Sequence, residues 1–594
     1  MDKGSFFRRI LMAALVFSIS IIYVFVSFRG LSTAEGMEKA QLARQIARGN
    51  FSTKVIRPVS IGQYNEKQGP VTDLSVLTEK DTYNAPLYPI VLGSIFKVFN
   101  VDDFKNWEME KGQDVFGPDR IIVGFSALCF IIAAIFIYAT ARSIFDATIA
   151  GVTFFVLVTC DLFWSFTQTG LPNSMMLMLF AAALFCIYKA TEKTDEEQGT
   201  SSMIFGLIAG LLLVLLCLTN WICIWLLIGY LIYSLFFIKP KGIVAGGTAV
   251  IALLAFILPV MTNVAQTGNP FGTAFYTVYN GLGSSEEVVM RSIEGGKAVP
   301  FRDLALKFVR NVFGQVSHVY EYSGYVIAAP LFFLSLMHSF KKRAVNSFKW
   351  GLCIMWACAS LGMVIYGFGE DALHPTQMHY LFTGVMSAYG IAVVMILWAR
   401  TSASREQIGI IRHGHLVILA VVASVPMLLS LPNTIYQGIS SERSRSMWPP
   451  YHPASLNKSL SAMVQDDQYI FSDQPWAVAW YADRTAIWTP QTSRMIEQVE
   501  KMASRANSPI AGFHISPVTL GDDEFFKSYI KNLDTIPLAL DGWNYIMSGG
   551  KLDLGTLAKN SKESSKIVRR YPYPYPLNGT IMMYYSAEQI RRSN

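Results

Sequence analysis

Two carboxylates, Glu35 and Glu38, lie about one helical turn apart in the stretch STAEGMEKAQLARQIARGNFSTKVIRP (residues 32–57), directly after the first apolar run. The same stretch carries the cations Arg44, Arg48, Lys54 and Arg57. Carboxylates exchange protons and clustered cations hold anionic groups, so this pattern where membrane meets water reads as an active-site loop. Residues 36–48 have helical character. At about 100° per residue, Ala40, Leu42, Ala43, Ile46 and Ala47 share one side while Arg44 and Arg48 fall on the other. Such a helix is expected to lie flat at the bilayer surface, apolar face down, and to stop at Gly49-Asn50. A plainer reading competes: a helix dipole favours a carboxylate such as Glu35 at a helix start whatever its function.

The elements that position this loop follow from composition. Of 594 residues 52% are hydrophobic and only 15% charged, too apolar for a wholly soluble chain. The net charge of +7 is spread over short loops between apolar runs, which fits a topology signal and not a nucleic-acid stripe. All seven cysteines lie in or beside those runs, and no CxxC pair occurs, so neither a disulfide framework nor a zinc site is indicated.

MDKGSFFRRI precedes an apolar run over residues 10–28 that is long for a signal-peptide core and lacks a close small-residue cleavage site. The first segment is expected to be a retained anchor with a cytoplasmic N-terminus. A long loop follows, with a second amphipathic candidate at residues 84–100. Further spans are expected near 121–141, 146–165, 172–188, 203–218, 221–238, 243–262, 323–339, 350–368, 380–398 and 415–431, eleven in all with the first. Alternate loops carry Arg142; Lys189 and Lys193; Lys239 and Lys241; Lys341, Lys342 and Arg343; and Arg400, Arg405 and Arg412. The positive-inside rule assigns these to the cytoplasm, and the first loop, residues 263–322 and everything after Leu431 to the outer side.

From about Pro450 short apolar runs alternate with helical patterns: YIFSD, WAVAWYAD, TAIW, SRMIEQVEKMA, PIAGFHI. This punctuation predicts an α/β unit with a largely parallel sheet. YPYPYP at 571–576 reads as an extended surface turn. The expected fold is a polytopic α-helical membrane protein, with amphipathic helices in a large first outer loop, plus a small C-terminal α/β domain on the outer face. Its domains are 1–432 and 433–594. The absence of GxGxxG or GxxxxGK[ST] leaves no nucleotide cofactor to expect. Ionisable groups are missing from the span centres, which argues against an ion-coupled transporter. Asp161 is the nearest case and is expected close to the outer surface.

Here the sequence resembles the membrane-embedded C-type glycosyltransferases, particularly relatives of protein O-mannosyltransferases and lipid A aminoarabinose transferases. That group has a pattern resembling D-E-x-x-Y-A-x-I-A-R just after its first span. In this chain Glu35-Gly36-Met37-Glu38-Lys39-Ala40-Gln41-Leu42-Ala43-Arg44 stands there, with Glu for the leading Asp, Gly for the second acid and Lys for Tyr. Asn84-Ala85-Pro86-Leu87-Tyr88 is similar to the group's Pro-Pro-Leu-Tyr segment, and its second-loop acid is replaced by Asn173.

The resemblance implies an inverting transfer of a sugar from a polyprenyl-phosphate donor to an acceptor on the outer face, with Glu35 as general base. Glu38 could assist, bind a metal or be solvated. Arg44, Lys54 and Arg57 are the cations for the donor phosphate, with His379 and Tyr380 standing where the group has an Arg-Tyr pair. Lipid headgroups could engage the same cations. Asp161, Gln168 and Asn173 are the candidates for sugar hydroxyls, although Asn173 after Pro172 could equally cap a helix. A divalent metal ion is allowed, with no ligand set evident. Expected partners are the lipid-linked donor, the bilayer and an acceptor that the sequence does not name, and no nucleic acid. The expected location is a bacterial inner membrane with the C-terminal domain periplasmic. The altered acids keep a rival open, a non-catalytic scaffold of the same fold within a membrane complex.

Overall fold

The computed structural model describes residues 3–110, 112–113, 115–282, 286–295, 299–367, 373–401, 414–439, 453–505, 509–516, 562–577 and 582–589. Arg405, Arg412 and residues 370–372 lie outside them. Helix α1 (Lys3–Ile21) continues through a π-helical turn, Ile22–Ser27, into the first loop. That loop holds α2 (Ala34–Ala47), β1 (Val55–Ile56), α3 (Pro58–Gln68) and α4 (Leu87–Val98).

α2 starts where Thr33 caps it, its hydroxyl accepting from the Gly36 N–H at 3.2 Å. The helix does not lie on a bilayer surface. Residues 36–45 are all buried, Arg44 included at 1% exposure, because protein packs on both sides. Its small residues allow the close approach. A Cβ on Gly36 would lie 2.3 Å from the Thr169 carbonyl oxygen, and one on Gly93 of α4 would lie 2.8 Å from that of Ala43. Arg44 finds its partners inside the protein, so its place on the polar side of the helical wheel did not mean exposure.

The bundle continues with α5 (Gly117–Ile144), α6 (Ala147–Val158), α7 (Asp161–Gln168), α8 (Asn173–Asp195), α9 (Gly199–Thr219), α10 (Ile224–Phe237) and α11 (Ile243–Thr267). α6 and α7 meet at a 49° bend. The Trp164 indole N–H fills the Val158 carbonyl freed there, at 2.8 Å. Then come α12 (Glu286–Met290), α13 (Phe301–Tyr322), α14 (Phe332–Ser335), α15 (Arg343–Tyr366), α16 (His379–Trp398) and a final apolar helix, Gly414–Ile439. Among the described residues eight helices are long and apolar enough to cross a membrane, nine if α6 and α7 form one span. This is a multi-pass membrane protein.

The span expected at 323–339 is not a long helix; only Phe332–Ser335 is α-helical there. The segment nevertheless descends through the bundle. Gly324 accepts from Cys160 beside the α6–α7 bend, at 3.4 Å, while Phe340 packs on Phe145 at the far end of α5, with ring centroids 5.6 Å apart. Irregular backbone at this depth survives where protein satisfies it. Lys349 donates to the carbonyls of Ser335 at 3.0 Å and His338 at 2.6 Å.

The C-terminal part builds a six-stranded sheet in the order β1-β3-β2-β4-β6-β5, with β2 Tyr469–Ser472, β3 Thr485–Trp488, β4 Ile510–Ile515, β5 Tyr573–Pro576 and β6 Met583–Ser586. The pairs β1/β3, β3/β2 and β2/β4 are parallel, while β4/β6 and β6/β5 are antiparallel. The edge strand β1 comes from the first loop, which ties that loop and the sheet to one side of the membrane bundle. YPYPYP is no surface turn, since its last four residues form β5. They sit at the sheet edge because alternate prolines lack the N–H a central strand needs.

Candidate active site

α2, β1 and the turn before α4 bring the first group of charges together. Glu38 is buried and receives the Arg57 Nη2 on both carboxylate oxygens, at 2.7 and 2.6 Å, and Asn84 Nδ2 on Oε1 at 3.0 Å. The Arg57 guanidinium lies 3.8 Å from the Tyr83 ring centroid. Burial alone would lower Arg57, yet Glu38 and Tyr83 hold it above its usual value. Asp81 accepts from the Asn84 N–H at 2.8 Å, and burial with the nearby Glu38 raises its carboxyl.

A second group centres on Asp483, which ends the helical turn Val478–Ala482 in the left-handed region at φ 54°. It pairs with Lys54 Nζ at 2.8 Å, Arg48 Nη2 at 2.8 Å and Arg44 Nη1 at 3.4 Å. Arg44 also donates to the Trp480 carbonyl at 2.7 Å and lies 4.1 Å from the Trp480 ring centroid. Burial would push Asp483 up, but Arg44, Lys54 and Arg48 hold it well below the carboxylate range. Trp480 and Tyr481 in turn donate to the buried Asp119 at the start of α5, at 2.7 and 3.0 Å. Of the cations expected for a donor phosphate, Arg44 and Lys54 therefore fasten the first loop to the sheet domain, while Arg57 ties the end of β1 to Glu38 of α2.

A pocket of about 910 Å³, counting its open mouth, lies beside the first group. Its polar end carries Glu35, Lys39, Tyr83, Asn84 and Glu286, and its apolar wall includes Trp221, Trp225, Phe271 and Tyr366, with His374 and Thr376 also lining it. Glu35 and Lys39, one turn apart on α2, make no hydrogen bond or ion pair among the described residues. Burial draws the Lys39 ammonium below its ordinary value while Glu35, Glu38 and Asp81 oppose that. Glu286 accepts from Tyr83 Oη at 3.2 Å, and burial together with Glu35 pushes its carboxyl up to about 7. The pocket thus offers an uncommitted carboxylate and an uncommitted ammonium beside a second, readily protonated acid.

Of the ten residues singled out from the sequence, Glu35 alone lines this pocket. Asp161 accepts from Tyr23 Oη, and Gln168 donates to the Tyr23 carbonyl at 2.8 Å and Ser27 Oγ at 2.7 Å, so both brace the end of the first span. Asn173 is fully buried with neither side-chain atom hydrogen-bonded, and its carbonyl accepts from Tyr380 Oη at 3.2 Å. His379 is locked between Trp356 Nε1 at 3.0 Å and Gln315 Oε1 at 3.1 Å. Sequence reasoning missed Lys39, Tyr83 and Glu286. Lys39 was findable, four residues after Glu35 on one helix face; Glu286 had no local signal. No group of three or more His, Cys, Asp or Glu side chains among the described residues is placed to share a metal ion.

A model of the dolichyl-phosphate-mannose-protein mannosyltransferase family matches residues 106–263, the stretch from the loop before α5 into α11, which includes Trp221 and Trp225 but not Glu35. The structure aligns over 91% of its length with 73% of the archaeal oligosaccharyltransferase AglB from Archaeoglobus fulgidus, in complex with an inhibitory peptide and a dolichol-phosphate, at a TM-score of 0.54 and 12% identity. ArnT from Cupriavidus metallidurans in the apo state aligns over 87% of this chain and 94% of its own, with a TM-score of 0.52 and 10% identity. The chain has the C-type glycosyltransferase fold. ArnT bound to undecaprenyl phosphate gives a TM-score of 0.50 at 12% identity over 90% of this chain and 96% of that one. No curated protein matches the chain in sequence. At these identities the likeness concerns the fold.

Proposed function

We propose that this C-type glycosyltransferase fold is catalytic and moves a sugar from a polyprenyl-phosphate donor to an acceptor hydroxyl, with Glu35 as general base. The observation that carries the reading is the pocket itself, where free Glu35 and Lys39 face a wall bearing Trp221 and Trp225. Such a wall suits a lipid tail leading to a charged head. In the reaction Glu35 takes the acceptor hydroxyl proton, the hydroxyl oxygen bonds to the sugar C1, and the bond from C1 to the phosphate oxygen breaks with inversion. The leaving group is polyprenyl phosphate, whose negative charge Lys39 stabilises. Arg44, Lys54 and Arg57 act at one remove, holding α2 and β1 so that Glu35 and Lys39 project into the pocket. In this reading the site lies on the outer face of the membrane, with the N-terminus cytoplasmic and the C-terminal domain periplasmic.

The test is transfer from radiolabelled polyprenyl-phosphate sugars by the purified protein and its Glu35→Gln variant. Loss of about 10²- to 10⁴-fold is expected, the range a positioned base contributes. Transfer by Glu35→Gln near the wild-type rate would sink the assignment. No transfer by the wild type with any such donor, together with stoichiometric protein partners, would favour the scaffold reading.

A further inference from the structure

Helix α13 turns its faces the wrong way round for a helix in water. Lys307, Asn311 and Gln315, spaced four residues apart, are buried, whereas Phe308, Val309, Val312, Phe313, Val316 and Tyr320 are exposed, Phe313 at 69% and Val316 at 67%. A surface helix of a soluble protein shows the reverse pattern. The polar row reaches into the bundle: Lys307 Nζ donates to the Val278 carbonyl at 2.7 Å, Asn311 Nδ2 to that of Val364 at 3.1 Å and Gln315 Nε2 to that of Ser360 at 3.1 Å. On the outward side, Ser317 Oγ donates to the Phe313 carbonyl at 2.8 Å, and His318 Nδ1 hydrogen-bonds that of Gly314 at 3.0 Å. Polar groups that turn back on their own helix can face lipid without an unmade hydrogen bond.

The same contacts fix its depth. α15 is long and apolar enough to cross a membrane, and α13 runs down it antiparallel, Asn311 beside Val364 and Gln315 beside Ser360. At 1.5 Å per residue, Val364 and Ser360 lie about 31 and 26 Å from Arg343 at the other end of α15, against a hydrocarbon core of about 30 Å. Lower still, Tyr322 stacks on His379 with centroids 5.9 Å apart, and His379 accepts from Trp356, about 20 Å from Arg343. α13 then passes into the descending segment 323–340. Gly324 meets Cys160, about 20 Å along α6 from Ala147, so that segment covers about two thirds of the core and leaves about 10 Å, or about seven helical residues, to α13. Both measures put the boundary of the hydrocarbon near residues 311–315. Helical side chains tilt toward the N-terminus, so Arg310 and Glu321 both rise toward the membrane surface, and the exposed Arg310 reaches the level of lipid phosphates. With Arg302, Asp303, Lys307, Arg310 and Glu321 in its sequence α13 is too charged to read as a span, yet its polar row is covered by protein.

We infer that the C-terminal half of α13 is embedded in the bilayer and forms, with residues 323–340, one broken membrane crossing. Phe313, Val316 and Tyr320 lie among the acyl chains, and Arg310 meets the phosphates of the phospholipid headgroups. The bilayer thereby holds one wall of the pocket, because Lys307 fixes Val278 in the turn Gly272–Tyr279, whose Ala274 and Thr277 line it. The test is electron paramagnetic resonance of the full chain in phospholipid nanodiscs, with a spin-labelled amino acid in place of Arg302, Phe313 or Val316, a route that leaves the seven native cysteines untouched. Power saturation compares oxygen, which concentrates among acyl chains, with a water-soluble nickel chelate. The labels at positions 313 and 316 are expected to relax severalfold more with oxygen than with nickel, and the label at 302 the reverse. Nickel access at 313 and 316 would mean that water covers this face. Exclusion of both reagents there would mean that a protein surface, such as a second copy of the chain, covers it. Either result overturns the inference, as would a label at 302 that lies as deep as the one at 313.

Discussion

Asp483→Asn isolates what the buried charges contribute to fastening the first loop to the sheet. Asparagine suits the left-handed backbone that Asp483 adopts at φ 54°, so the substitution changes charge with little strain. It leaves Arg44, 1% exposed, beside Arg48 and Lys54 without its ion-pair partner. Removing one partner of a buried ion pair costs on the order of 3–5 kcal/mol, because the remaining charge stays desolvated. The thermal midpoint in detergent, read by intrinsic fluorescence, should fall by several degrees. The pH dependence gives the sign. A carboxyl held below its unfolded value contributes stability that is fully present above that value, about 4 for Asp, and lost as pH falls through the folded value. The gap between wild type and Asp483→Asn should therefore be constant from pH 5 to 8 and narrow as the pH is lowered below about 4. A midpoint within a degree of wild type at pH 7, or a gap that widens on acidification, would refute this account of the loop–sheet junction.

Three further outcomes follow from the pocket. Lys39→Met should raise the KM for a polyprenyl-phosphate sugar about 10- to 100-fold, the worth of one charge-assisted hydrogen bond, with little change in thermal midpoint; unchanged donor kinetics would remove Lys39 from the site. Gly36→Ala should destabilise by about 1–3 kcal/mol, because its Cβ would meet the Thr169 carbonyl oxygen at 2.3 Å; a thermal scan showing no loss would mean the α2 start can move away. Glu286 has a carboxyl raised to about 7, so the stability it gives in its neutral form is present below about 4.5 and lost as pH rises through 7. Glu286→Gln should remove that loss, and a stability difference from wild type that does not grow between pH 5 and 8 would count against it.

The multi-pass helical character was legible because long apolar runs obey a simple length rule, and the alternation after Pro450 matched β2, the turn at Trp476, β3, Ser493–Arg505 and β4 in order. Local pattern misled where tertiary contacts decide. Arg44 sits on the polar side of a helical wheel, yet Asp483, more than four hundred residues away, draws it inside. β1 is two residues long and becomes a strand only because β3 accepts it. Residues 323–339 had a span's hydropathy but turn repeatedly, since Lys349 and the surrounding helices satisfy their backbone. At the site, Glu35 carried a signal of type and place. Glu286 and Tyr83 reach it through the path of the chain, which composition does not encode.

The most direct measurement is a cryo-electron microscopy map of the protein saturated with a polyprenyl phosphate. The account predicts phosphate density within hydrogen-bond reach of Lys39 Nζ, near Glu35, with the first isoprene units along Trp221 and Trp225. Phosphate density beside Arg44 and Lys54 with the Asp483 cluster opened, or a pocket left without lipid at saturation, would contradict it.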